Sequence, residues 1–140
     1  EHYLVPLGKA DVKRQGDDLT LVAYSRMVQV ALAAAEELAG RGLNVEVIDL
    51  RSLRPLDIET VAESVKRTGR AIVVEEAWRT GGFGAEIASQ IQEQAFDHLD
   101  APIGRVAGAD VPTPYSQPLE MLAIPSRESV VAAVENALGR

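Results

Sequence analysis

Residues 75–91, EEAWRTGGFGAEIASQI, hold the densest set of groups able to do chemistry in this 140-residue chain. Two acids and the only tryptophan run into Gly81, Gly82 and Gly84. A glycine-rich turn between a strand and a helix can cradle a phosphate, because free N–H groups and the helix dipole favour an anion. The run Gly82-Phe83-Gly84-Ala85-Glu86-Ile87 departs from the dinucleotide fingerprint: it lacks the third glycine and follows the third main strand, not the first. Glu86 falls in the first helical turn, where its charge suits the dipole and repels a phosphate. The glycines read as a tight turn with close backbone approach. A nucleotide- or anion-binding enzyme is the competing reading.

Other candidates are sparse. Glu75 and Glu76 are neighbours in a strand, so their side chains leave opposite faces and cannot form a dyad. One of them reads as half of a structural ion pair near the sheet's end, with Arg51 or Arg54 as partner. Imidazoles are limited to His2, at the start of the chain, and His98, between Asp97 and Asp100 on a solvated stretch. No H-x-x-H spacing suggests zinc, and no G-x-S-x-G elbow positions a serine as nucleophile. The residues alone supply no catalytic set. Trp78 and Phe83 flank the glycine turn as large apolar groups suited to meeting another chain or domain. GADVPTPY, residues 108–115, is stiffened by Pro112 and Pro114. It reads either as a docking loop carrying Asp110 and Tyr115 or as a plain connection.

The elements that must position these residues alternate strand and helix. LTLVAY (19–24), NVEVIDL (44–50), AIVVEE (71–76) and PIGRVAG (102–108) are short, β-branched, continuous apolar runs, as expected of strands buried on both faces. Between them lie helical stripes: Met27 to Ala39, capped by Ser25; Ile58, Val61, Ala62 and Val65, capped by Asp57 and closed by Gly69; and Ile87, Ala88, Ile91 and Ala95. After a proline-rich loop, Ser126 caps a last helix through Val130, Val131, Val134 and Leu138. LGKADVKRQG adds a short edge strand. The expectation is one domain over residues 1–140, three-layer α/β/α, in which ligands would gather beyond the carboxyl ends of the strands.

Composition narrows the classes. With no cysteine, disulfides and thiolate chemistry are excluded, which fits a reducing compartment. A formal charge of −7 repels nucleic acid and anionic lipid, and a basic partner is electrostatically favoured. No apolar run reaches the ~20 residues of a membrane span. The chain opens on Glu1, which reads as a piece of a longer protein.

DLTLVAYSRMV, VIDLRSLRPLDIETV, VEEAWRTGGFGAEI, LDAPIGRVAGADVPTPY and IPSRESVVAAVENAL follow one another in an order and spacing that span nearly the whole chain. Together they resemble the C-terminal domain of the β subunit of thiamine-diphosphate-dependent 2-oxo acid dehydrogenases, most of all the pyruvate dehydrogenase type. The same domain of another transketolase-family enzyme is the alternative. The resemblance implies a transketolase C-terminal-like fold: a five-stranded, mostly parallel sheet with one antiparallel edge strand. It implies that the parent enzyme decarboxylates a 2-oxo acid on thiamine diphosphate and acylates a lipoyl group. The cofactor and its magnesium would be held outside this piece, leaving it inactive alone. The role implied for the domain is assembly: packing with the α subunit and a second β subunit in a heterotetramer, and docking the peripheral subunit-binding domain of the dihydrolipoyl acyltransferase in a multi-enzyme complex. In the family that docking surface maps onto Asp100 and onto Arg140 with the terminal carboxylate. The compartment implied is a bacterial cytoplasm or an organelle interior.

Overall fold

Short apolar strands cannot bury both faces unless helices cover them, and alternation decides which helix meets which side chain. In the computed structural model, which describes residues 3–140, five strands form one sheet in the order β1-β3-β2-β4-β5. These are β1 (Asp11–Arg14), β2 (Leu19–Ala23), β3 (Val45–Asp49), β4 (Ala71–Trp78) and β5 (Gly104–Gly108). β2 to β5 are parallel, and β1 runs antiparallel along β3, with Asp11 opposite Asp49. The three-layer, mostly parallel sheet with one antiparallel edge strand is therefore found as expected. The edge strand is Asp11–Arg14, and the fourth parallel strand is two residues shorter than its apolar run.

Leu19, Leu21, Ala23, Val45, Val47, Ile72 and Val74 face a core closed by α1 (Met27–Gly40) and α5 (Arg127–Ala137). Val22, Ile48, Ala71 and Val73 face a second core closed by α2 (Ile58–Thr68) and α3 (Phe83–Ala95). The buried α1 residues, Met27, Val28, Ala31, Ala34, Ala35 and Leu38, follow the helical period, so one stripe meets the sheet.

The ends of α2 and the start of α5 match their chemistry, and the start of α1 does not. Asp57 caps α2 by accepting from the Thr60 amide at 3.3 Å, and Gly69 closes it in the left-handed region at φ 72°. Ser126 and Ser129 form a reciprocal capping box on α5. Ser25 does not cap α1 through its side chain. It takes a left-handed backbone (φ 55°), Arg26 stands at the cap position, and the Ser25 carbonyl accepts from the Val28 amide at 3.2 Å.

One helix lies inside the stretch read as a proline-rich loop: α4 (Gln117–Ala123), capped by Ser116 with a proline in its first turn. None of its residues is buried, so its apolar residues mark no face turned to the core.

Candidate functional site

Glu75 of β4, fully buried on the α2–α3 face, gathers Tyr24 from just beyond β2, Gly84 from α3 and Arg105 from the start of β5. Its Oε2 accepts from the Gly84 amide at 2.7 Å and from the Tyr24 hydroxyl at 3.0 Å, and its Oε1 from Arg105 Nη2 at 2.8 Å. Gly84 lies in the first turn of α3, so the dipole end of that helix points its free N–H at a carboxylate. A Cβ on Gly84 would run into that carboxylate, and one on Gly82 would come within 2.8 Å of Glu75 Oε1 and into the Trp78 carbonyl. The glycine turn is thus an anion cradle after all, filled by the chain's own side chain. A diphosphate does not fit there, because the N–H donor and the space are both taken.

Arg105 replaces the arginines expected for Glu75. Arg51 pairs with Asp11 instead, at 2.8 Å, on the β1 side of the sheet. Arg105 comes from a strand thirty residues downstream, brought alongside by the β4–β5 pairing. Burial and the hydrogen bond to Glu75 both push the Tyr24 phenol above its ordinary value, burial most.

From Glu75 the contacts run outward to the rim. Arg105 Nη2 also donates to the Arg79 carbonyl, and Arg79 Nη1 returns a bond to the Arg105 carbonyl, each at 2.8 Å. Asp110 accepts from the Thr80 amide at 3.0 Å and from the Thr80 hydroxyl at 2.8 Å. Those two bonds, the amide's first, hold its carboxyl below the usual aspartate value. The Trp78 indole N–H donates to the Val111 carbonyl at 2.9 Å, while the residue stays 54% exposed. Phe83 turns inward and packs, partly buried, against the α2–α3 core. Tyr115 is fully exposed, and Val111, Leu119, Met121 and Leu122 are exposed beside it in the chain.

The residues singled out from sequence therefore fall at two ends of the sheet. Trp78, Asp110 and Tyr115 belong to the carboxyl-end rim. Asp100 lies at the amino end, where its amide donates to the Gly69 carbonyl at 2.8 Å and its carboxylate stands 4.0 Å from Arg70 Nη1. Arg140 lies exposed at the end of the chain, its amide bonded to the Glu135 carbonyl at 2.9 Å, close to the C-terminal end of α1 through the Arg41–Glu135 pair. His98 is exposed, and His2 is outside the described residues. No cluster of three potential metal ligands occurs among the described residues. None of their helices is long and apolar enough to cross a membrane.

The sequence reading missed Tyr24, Arg105 and Thr80. A cation in the middle of an apolar strand was the available signal for Arg105, since such a charge must be paired when half-buried.

Known proteins share both sequence and fold. The chain is 48% identical over all its 140 residues to the "Pyruvate dehydrogenase E1 component subunit beta, mitochondrial" of Dictyostelium discoideum, covering 39% of that protein. It is 51% identical over 131 residues to the corresponding subunit beta of Rickettsia bellii, covering 94% of the chain and 40% of the relative. The chain thus spans about two fifths of the length of these relatives. Among solved structures, a "Split gene transketolase, inactive beta4 tetramer" superposes with a TM-score of 0.77 at 32% identity, over 94% of this chain and 42% of that one. A 2-oxoglutarate:ferredoxin oxidoreductase from Magnetococcus marinus shares the fold, with a TM-score of 0.63 at 15% identity over 93% of this chain and 20% of the other. Residues 8–130 match the family described as "Transketolase, C-terminal domain", and the chain belongs to that family.

Proposed function

We propose that this chain is the C-terminal domain of the β subunit of a pyruvate dehydrogenase, and that its task is assembly. The parent enzyme would carry out thiamine-diphosphate-dependent oxidative decarboxylation of a 2-oxo acid inside a cell or organelle, with catalysis and cofactor held by other domains. The observation that carries the reading is the apolar surface from the rim through α4: Trp78, Val111, Tyr115, Leu119, Met121 and Leu122 all lie exposed. Tyr3, Leu4, Val5, Leu7 and Phe96 are exposed as well, but the set that runs from the strands' carboxyl-end rim into α4 is the one that combines a tryptophan with a helix burying no residue, and such a surface suits another polypeptide. That polypeptide is the α subunit or a second β subunit. The opposite, amino end, bearing Asp100, together with Arg140, is assigned to the basic subunit-binding domain of the acyltransferase, which the charge of −7 also favours.

The test puts Leu119→Glu with Leu122→Glu, and separately Asp100→Ala, into the full β subunit co-expressed with its α subunit. The paired glutamates should abolish the heterotetramer in sedimentation velocity. Asp100→Ala should leave it intact and weaken the subunit-binding domain by more than ~2 kcal/mol in low-salt calorimetry. A heterotetramer unaffected by the glutamates overturns the assembly surface, and unchanged affinity overturns the Asp100 assignment.

The competing nucleotide- or anion-binding enzyme is disfavoured because Glu75 fills the glycine turn. Nucleotide or thiamine diphosphate that raised the melting temperature of the chain would reinstate it.

A further inference from the structure

We propose that the cleft between the Trp78 ring and the Asp110–Pro112 turn is a recognition pocket for one basic side chain, arginine or lysine, offered by a partner polypeptide. The inference rests on the assembly reading for the source of that side chain; the pocket itself is argued from its own geometry. The cleft encloses about 390 Å³ and is lined by Trp78, Thr80, Asp110, Val111 and Pro112. A flexible cation needs a fixed apolar wall and a fixed anion, and both are present.

The wall is the indole. Its N–H is engaged by the Val111 carbonyl, so its remaining capacity is the ring itself, half of it open to solvent. A guanidinium or ammonium over such a face is attracted by the ring quadrupole. The anion is Asp110. Thr80 grips one oxygen through its amide and the other through its hydroxyl, which orients the carboxylate and favours its charged form. The two Thr80 donors, with the Arg79 amide also acting on the carboxylate, still leave a free lone pair on a group that offers about four. Among the described residues Asp110 forms no salt bridge. Arg79, whose charge is felt at Asp110, has its guanidinium bonded to the Arg105 carbonyl. The apolar stem of an arginine or lysine would lie along Val111 and Pro112. The chain's net charge of −7 draws a cation from a distance, and the Asp110 carboxylate fixes where it stops.

Trp78 is the only tryptophan, so its indole N–H resonance and its fluorescence report this cleft alone. The probe is acetyl-Gly-Arg-Gly-amide, with the isosteric citrulline peptide as its neutral counterpart. The arginine peptide should move the indole signal saturably at millimolar concentration, and the shift should weaken as salt is raised. Asp110→Asn should weaken that binding by about fivefold, the scale of an ion pair at a half-open site, with the rest of the amide spectrum unmoved. No response to the arginine peptide overturns the pocket. So does an equal response to citrulline, or salt-independent binding that persists in Asp110→Asn. If Asp110→Asn disturbs the spectrum widely, the citrulline and salt arms decide alone. A silent pocket in a β subunit that still forms its heterotetramer removes this inference and leaves assembly standing; peptide binding without assembly does the reverse.

Discussion

Two buried glutamates, one at each end of the sheet and both on its α2–α3 face, are held by the same three kinds of donor. Glu75 takes a glycine amide (Gly84), an arginine (Arg105) and a hydroxyl (Tyr24). Glu46, 2% exposed near the start of β3, takes the Gly16 amide at 3.2 Å, Arg67 Nη2 at 2.5 Å and the Ser64 hydroxyl at 2.5 Å. Both meet the rule that a buried charge must be paired and hydrogen-bonded. They differ in where the network goes next. From Glu46 it turns inward: Ser64 joins Thr20 at 2.7 Å and Thr20 joins Thr68 at 2.8 Å, riveting α2 to the middle strand. From Glu75 it turns outward through Arg105 and Arg79 toward the rim. One device therefore serves two ends: at one it locks a helix, at the other it fixes a surface.

The pairing cations differ as well. The Arg105 side chain is 16% exposed and that of Arg67 51%, so water can take over at one end and not at the other. Removing a buried partner strands the other charge, so Glu75→Ala should cost about 3–5 kcal/mol in denaturant unfolding. Glu46→Ala, whose arginine can turn to solvent, should cost about 1–3 kcal/mol. Equal losses would break the comparison.

A finer difference lies in the hydroxyls. Tyr24→Phe removes one bond to Glu75 and should cost about 1 kcal/mol. It should also change the alkaline limb. The folded phenol titrates above its unfolded value of 10.0, so its contribution is full below that pH and declines as pH rises toward the folded value. Stability measured from neutral to strongly alkaline pH should fall less steeply in Tyr24→Phe than in the wild type. Parallel slopes would detach Tyr24 from the Glu75 network.

The smallest effect is at the rim. The Asp110 carboxyl titrates below its ordinary value of 3.8, so the Thr80 staple is intact above that pH and is lost as pH falls through the folded value. Trp78 fluorescence should show an acid transition there without global unfolding, and Asp110→Asn should abolish it. A transition that survives the substitution would assign it elsewhere.

Much of this arrangement is legible in the sequence. The four parallel strands announce themselves because strands covered on both faces need no polar alternation, and the α2 caps because Asp57 and Gly69 have few other uses at those positions. What was not legible depends on distance in the chain or on missing burial. Arg105 meets Glu75 only because the sheet order sets β5 against β4, which no local pattern encodes. Helix α4 is short and turns Leu119, Met121 and Leu122 to solvent, so its apolar pattern points to no core and Pro112 and Pro114 dominate the reading. Ser116, which accepts from the Leu119 amide at 3.4 Å, and Pro118 in the first turn were the local signals of its start.

The carboxylate seated at the head of α3 has a consequence for the protein's surroundings. A helix start left open would sample every small anion in its medium, and the rim above it would shift with their concentrations. Here the occupant is covalently tethered, so its effective concentration never changes and no metabolite competes on equal terms. The shape of the surface around Trp78 is thereby made independent of phosphate and nucleotide supply.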